Sequence, residues 1–141
     1  MAAYTVTAAN VLPTKGASTI VTLICGAAAI TQGQAVSKKI SDGTAILANA
    51  ATSAETAACI GFACNSASPG QPISIDTSDQ TYTHGLATPV VGTPVFLSGT
   101  TSGAVGPASD LASTWFPVCM GYTISSTQMS LNPSTGATAH A

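Results

Sequence analysis

A stretch over residues 33–75 returns, altered but in the same order, over residues 92–131. Each copy opens on Gly-x-x-Val (Gly33 and Val36; Gly92 and Val95) and passes through a middle rich in Ser, Thr, Gly and Ala. Each then reaches Cys-apolar-Gly-aromatic (Cys59, Ile60, Gly61, Phe62; Cys119, Met120, Gly121, Tyr122) and closes on a Ser-rich turn and an apolar alternation. The offset between copies is 59 residues at the first landmark and 60 at the second. An offset held over landmarks so far apart indicates tandem duplication, so each copy should supply a like set of elements.

Those elements read as short strands. The β-branched run over residues 19–25, closed by Gly26, is of strand length and is the best candidate for a central strand. Further strands are expected over 45–47, 60–64, 73–75, 95–97, 116–122 and 128–131, with Asp42-Gly43 and the 66–70 segment as turns. Residues 48–58 are rich in alanine, but Asn49, Thr52, Ser53 and Thr56 are weak helix formers. The counterpart in the second copy, residues 104–114, holds Gly106 and Pro107, so one helical turn is the expectation rather than a long helix. Residues 76–91 form either a crossover or an edge hairpin between the copies. The chain thus reads as all-β, a small β-barrel or sandwich built from two related β-motifs, with an extended N-terminal arm and at most short helical turns. It forms one domain over 1–141: arm 1–16, core 17–133 and a frayed tail 134–141.

Only 6% of residues are charged, against 45% apolar, and arginine is absent. The surface must then be neutral hydroxyls, amides and methyls, with little charge to keep copies apart, so self-association is expected. Lys15, Lys38 and Lys39 form no basic stripe, which sets nucleic acid aside as a partner. The apolar run over 17–30 is interrupted by Ser18, Thr19, Thr22 and Gly26 and falls short of the roughly 20 residues of a membrane helix, so no membrane partner is expected. The first ten residues lack a basic segment followed by an apolar one, so folding in the cytoplasm where the chain is made is the expectation.

Chemistry is sparse. Neither His84 nor His140 sits in a nucleophile context, so no serine triad emerges from the many hydroxyls. Cys25, Cys59, Cys64 and Cys119 read as small buried apolar residues, since two of them fall at matching places in the repeats. A disulfide and a zinc site are the alternatives. Apolar strand contexts should raise the Cys59 and Cys64 thiols rather than activate them. Asp76 and Asp79 resemble a loose calcium loop without its later carboxylates, and read as turn formers. Trp115 is either a surface anchor or, as we favour, a plug at the barrel end. No catalytic residue, cofactor or metal is expected. Tyr4, Val6, Val11 and Leu12 put apolar side chains on a segment that Pro13 and Gly16 partly uncouple from the rest. These four residues are the candidate partner contacts, with few partners in their own domain, so deleting residues 2–12 should leave the domain folded.

The sequence of motifs G-Q-A-V at 33–36, C-I-G-F-A at 59–63 with N-S-A-S-P-G-Q-P-I-S-I at 65–75, then G-T-P-V-F-L-S at 92–98 and C-M-G-Y-T at 119–123, resembles the small phage capsid decoration (cement) proteins. The resemblance covers residues 23–131, with Gly61 and Gly121 as the glycine of a recurrent strand. It implies a compact β domain, not an enzyme, on the outer surface of the virion. Homotrimers would sit at local three-fold positions and hold neighbouring major capsid protein subunits together. The four cysteines and the 76–91 insert depart from the pattern and leave a head-fibre or receptor-binding adhesin role as the alternative.

Overall fold

The structure, a computed structural model, describes residues 4–12, 19–87 and 89–135; the side chains of Leu12 and Thr135 lie outside that description. The readings placed on Pro13, Gly16 and His140 lie outside the described residues as well. The chain forms strands β1 (Val6–Leu12), β2 (Ile20–Ile24), β3 (Ala35–Lys38) and β4 (Ala45–Leu47), one helical turn α1 (Ala54–Ala57), then β5 (Cys59–Ala63), β6 (Pro72–Asp76) and β7 (Asp79–Leu86). There follow β8 (Pro94–Leu97), β9 (Val105–Gly106), a 3-10 turn at Ala108–Asp110, β10 (Val118–Thr123) and β11 (Gln128–Thr135). The fold is all-β. Single turns stand where the weak helix formers and Gly106-Pro107 forecast them, α1 being closed by a reciprocal Ser53–Thr56 capping box.

Two antiparallel sheets result, one in the order β1-β7-β11-β10-β8-β9 and the other β2-β6-β5-β3-β4. The duplication is visible in that order. The neighbours β6-β5-β3-β4 of one sheet repeat as β11-β10-β8-β9 of the other, and β2 stands on β6 as β7 stands on β11. Strand β1 has no counterpart in the five-stranded sheet. The outer strands of that sheet converge, because Cys25, just beyond β2, bridges Ala45 of β4 in parallel and the Gly26 amide donates to the Ala45 carbonyl at 2.9 Å. One of the two sheets is accordingly curled into a half-barrel.

The repeated Cys-x-Gly motif has a mechanical role. Pairing slips at this motif in both copies, between Val36 and Ser37 opposite Gly61 and Cys59, and between Phe96 and Val95 opposite Cys119 and Gly121. At the slip a neighbouring strand approaches so closely that a Cβ would strike its backbone: the Asp76 carbonyl at Gly61, the Ser130 carbonyl at Gly121. The Cys59 and Cys119 thiols lie 3.5 Å from the Gly61 and Gly121 carbonyl oxygens respectively, the same contact in each copy.

The main core lies between the sheets, where Ala35 and Phe62 meet Tyr82, Val95, Leu97, Met120, Met129 and Leu131. The Phe62 and Tyr82 rings stack across the seam, 5.2 Å between centroids and 4° from parallel. A smaller core of Val36, Ala63, Ile73 and Ile75 is closed by Cys25, Ile30 and Ala67. Successive residues of one strand point to opposite faces, so burial of both Phe62 and Ala63 means that the five-stranded sheet is covered on both sides.

Two expectations are corrected, and the alternative left open over residues 76–91 is decided. The run over 19–25 is not central: β2 ends its sheet, with Val21 41% and Ile24 48% exposed, because β-branched composition suits any pleated surface and does not distinguish edge from centre. Residues 76–91 are no edge hairpin but a crossover into β7, which lies between β1 and β11. Residues 134–135, expected to fray, continue β11. Pro133 is tolerated there because it falls at a bulge, between the Gly121–Leu131 and Cys119–Ser134 pairs, past the last pairing of β11 with β7 at Leu131–Asp79.

Candidate partner-contact surface

The N-terminal segment is extended, but it is built into its own domain. Val6 pairs with Leu86, Val11 with His84 and Leu12 with Thr83, and the Tyr4 amide donates to the Val105 carbonyl at 2.8 Å. Val11 is buried, while Tyr4 and Val6 pack half-buried on the main core. Gly33, the first landmark of the repeat, makes this seat possible. It adopts φ +93°, and a Cβ there would lie 2.8 Å from methyls of both Val6 and Val11. Gln32 clamps the strand from the side, its Nε2 donating to the Val11 carbonyl at 2.9 Å. The expectation that this arm has few partners within its own domain is therefore corrected. Its apolar alternation reports that one face is covered, and the cover is the chain's own sheet. What the strand leaves to solvent is polar or small: Thr5, Thr7, Ala9 and Asn10 are exposed, and a groove of about 260 Å³ runs between Tyr4, Val6 and Ala8 and the loops holding Gln34 and Ser102.

The exposed apolar side chains lie elsewhere. Ile40, in the turn between β3 and β4, is 83% exposed, and Val90, Val91, Tyr122 and Ile124 are also on the surface. The last four gather at one end of the six-stranded sheet. Thr123, between Tyr122 and Ile124, donates its hydroxyl to the Val90 carbonyl at 2.8 Å, and its own carbonyl accepts from the Gly92 amide at 2.8 Å. Sequence reasoning did not single out Tyr122. In the first copy the equivalent Phe62 is buried: the slip is common to both copies, but Phe62 stands on the face of β5 that meets the main core, whereas in β10 Met120 meets that core and Tyr122 faces out. Trp115 is half-buried on the main core with its ring against Gly99, where a Cβ would lie 2.5 Å from the indole, which agrees with the plug rather than the anchor.

Among the described residues, Cys25, Cys59, His84, Asp76 and Asp79 are buried. All four cysteines are free thiols. Burial pushes Cys59 up to about 12, and burial reinforced by the nearby Asp76 charge pushes Cys64 up to about 11, so neither is a nucleophile near neutral pH. His84 is buried and its Nδ1 accepts from the Leu86 amide at 2.8 Å, which places its proton on Nε2. Burial lowers its pKa, and the Ser125 backbone only partly opposes that. Asp76 and Asp79 are both fully buried, which the turn-former reading did not foresee, although Asp79 does accept from the Thr81 amide at 3.0 Å in the manner of an Asx turn. Among the described residues no three His, Cys, Asp or Glu side chains gather as a metal site, and no helix is long and apolar enough to cross a membrane.

The class that fold and surface define is a duplicated two-sheet β module with a neutral, partly apolar exterior. The chain matches no protein-family model and no curated protein.

Proposed function

We propose that the protein decorates and stabilises an assembled phage capsid, binding the outer surface of the virion as a homotrimer across neighbouring major capsid protein subunits. The observation that carries this reading is the exterior. Ile40, Val90, Val91, Tyr122 and Ile124 stand exposed on a chain with three basic and five acidic residues, an apolar surface with little charge to keep it from being covered. With β1 committed to its own sheet, the attachment falls to the Ile40 turn and to the patch around Tyr122. The resemblance of the repeated motifs to decoration proteins points the same way. The deciding experiment images native particles by electron microscopy with antibody fragments raised against the purified chain. Fragments at local three-fold positions are the expected result. Fragments at fibre tips would establish the adhesin alternative, and unlabelled particles would refute both.

A further inference from the structure

The β3–β4 hairpin has an apolar knob at one end and a groove at the other. Ile40, in its turn, is 83% exposed, the most exposed large apolar side chain among the described residues. Hydrogen bonds hold the turn that presents it. The Ile40 amide donates to Glu55 Oε2 at 2.8 Å and the Gly43 amide to the Lys39 carbonyl at 2.8 Å. Asp42 Oδ1 accepts from the Thr44 amide at 3.0 Å and from its hydroxyl at 2.8 Å. Charge at this tip is balanced, Lys38 and Lys39 standing against Asp42 and Glu55, with Lys39 Nζ 3.9 Å from Asp42 Oδ2. An apolar side chain on a turn already fixed in this way gives up little freedom when something covers it.

The groove beside Tyr4, Val6 and Ala8 lies at the far end of the same hairpin. Gln34, on its rim, immediately precedes β3, and the Gly103 amide donates to the carbonyl of Ala48, just past β4, at 2.7 Å, so the loop holding Thr101 and Ser102 sits where the hairpin enters and leaves its sheet. At about 260 Å³ the groove has room for more than one isoleucine side chain. Its apolar wall comes from alternate positions of the N-terminal segment, and the described residues that line it carry amides and hydroxyls but no charge. An apolar centre with a neutral polar rim is the anatomy of a contact surface that a single aliphatic anchor can fill.

Knob and groove cannot meet within one molecule, because the four residues of β3, about 13 Å of strand, stand between them. They can meet between copies. A contact that joins unlike ends of identical chains is head-to-tail, and it closes into a ring when the rotation from copy to copy allows. We infer that Ile40 of one copy seats in the Tyr4–Val6–Ala8 groove of the next, and that three such contacts in a ring build the homotrimer. The inference rests on the homotrimer of the decoration reading; it names the faces that make it and leaves the patch around Tyr122 for the capsid. A second copy is the occupant because the tip, without net charge, matches the uncharged rim, and because a chain with three lysines and five acidic residues carries little charge to hold its copies apart.

The test compares the full wild-type chain with Ile40→Asp, which spoils the knob, and Thr101→Trp, which lays a large ring across the groove. Both positions are exposed, so both variants should fold, as circular dichroism will show. Light scattering should find a wild-type trimer and two monomeric variants, each contact being weakened about thirtyfold or more. Mixing the variants at high concentration is the sharper measurement. Thr101→Trp copies keep Ile40 and Ile40→Asp copies keep the groove, so the mixture should form pairs with one chain of each kind and nothing larger. A mixture that stays monomeric, a monomeric wild type, or variants that remain trimers would each overturn the contact. Should a variant not fold, Ile40→Cys combined with Thr101→Cys decides. A disulfide from residue 40 of one copy to residue 101 of another, identified by mass spectrometry, supports the contact, and oxidised chains without that link overturn it. The decoration reading is judged separately: trimers persisting in both variants sink the contact alone, and unlabelled particles in the micrographs sink that reading alone.

Discussion

Replacing Gly121 with alanine tests the bulge as a structural device. Gly121 sits at φ +133°, where side chains with a Cβ are strained by about 1–3 kcal/mol, and its Cβ would also lie 3.0 Å from the Ser130 carbonyl carbon and closer still to the oxygen. That carbonyl belongs to β11 and is held in register by the Gly121–Leu131 and Tyr122–Ser130 pairs, so relief requires the strands to part and weakens ladder bonds worth about 1 kcal/mol each. The sum is about 3–4 kcal/mol, or roughly 10 °C in unfolding temperature for a chain of this size. Gly70→Ala is the control: φ is +86° but nothing lies within 4 Å, so only the backbone strain applies, about 1 kcal/mol. Gly61→Ala carries the wedge without the positive φ, its Cβ falling 2.8 Å from the Asp76 carbonyl carbon, and should lie between the two. Thermal and urea unfolding followed by circular dichroism give all three values. If Gly121→Ala proves no more damaging than Gly70→Ala, the close approach of β11 is not what the glycine serves.

Removing residues 2–12 should destabilise the isolated domain by at least about 3 kcal/mol, because buried Val11 is lost and the Leu86 side of β7 is uncovered; unfolding equal to the full chain would show that β1 contributes nothing. Cys59 should resist a thiol reagent in the native state at pH 8 and react at the rate of unfolding, and reductant should leave the unfolding midpoint unchanged, both checked by mass spectrometry of labelled chains. Ser53→Ala removes the α1 cap and should cost about 1 kcal/mol in urea unfolding. His84→Asn should abolish the part of the stability loss that sets in as pH falls below 6.5, seen as a flatter midpoint-against-pH curve.

The architecture was legible because duplication and turn chemistry act locally. The glycines at 33, 61, 92 and 121 mark places where backbone geometry leaves few choices, and Gly106-Pro107 excluded a long helix whatever the packing. Partner contacts were not legible for the same reason in reverse. The alternation of Tyr4 and Val6 announces a covered face, which Val11 joins past a register shift, but period-two patterning is silent on whether the cover is the same molecule or another. The exposure of Tyr122 depends on which face of β10 meets the main core, and a motif and slip common to both copies do not tell that. Asp76 and Asp79, two residues of intervening chain apart, look like an ordinary turn. Only the passage of that turn between two sheets buries them together.

The strand order also sets a timetable for synthesis. Val6 has to wait for Leu86, and Ile20 for Asp76, whereas β3 and β4, or β8 and β9, meet their partners within a few residues. On the ribosome the first two strands therefore emerge as orphans, and the apolar run of β2 stays bare until the first repeat is nearly complete. A nascent chain of this kind is most prone to aggregate early in translation, and a charged residue at exposed Thr22 would protect it there at little cost to the finished fold.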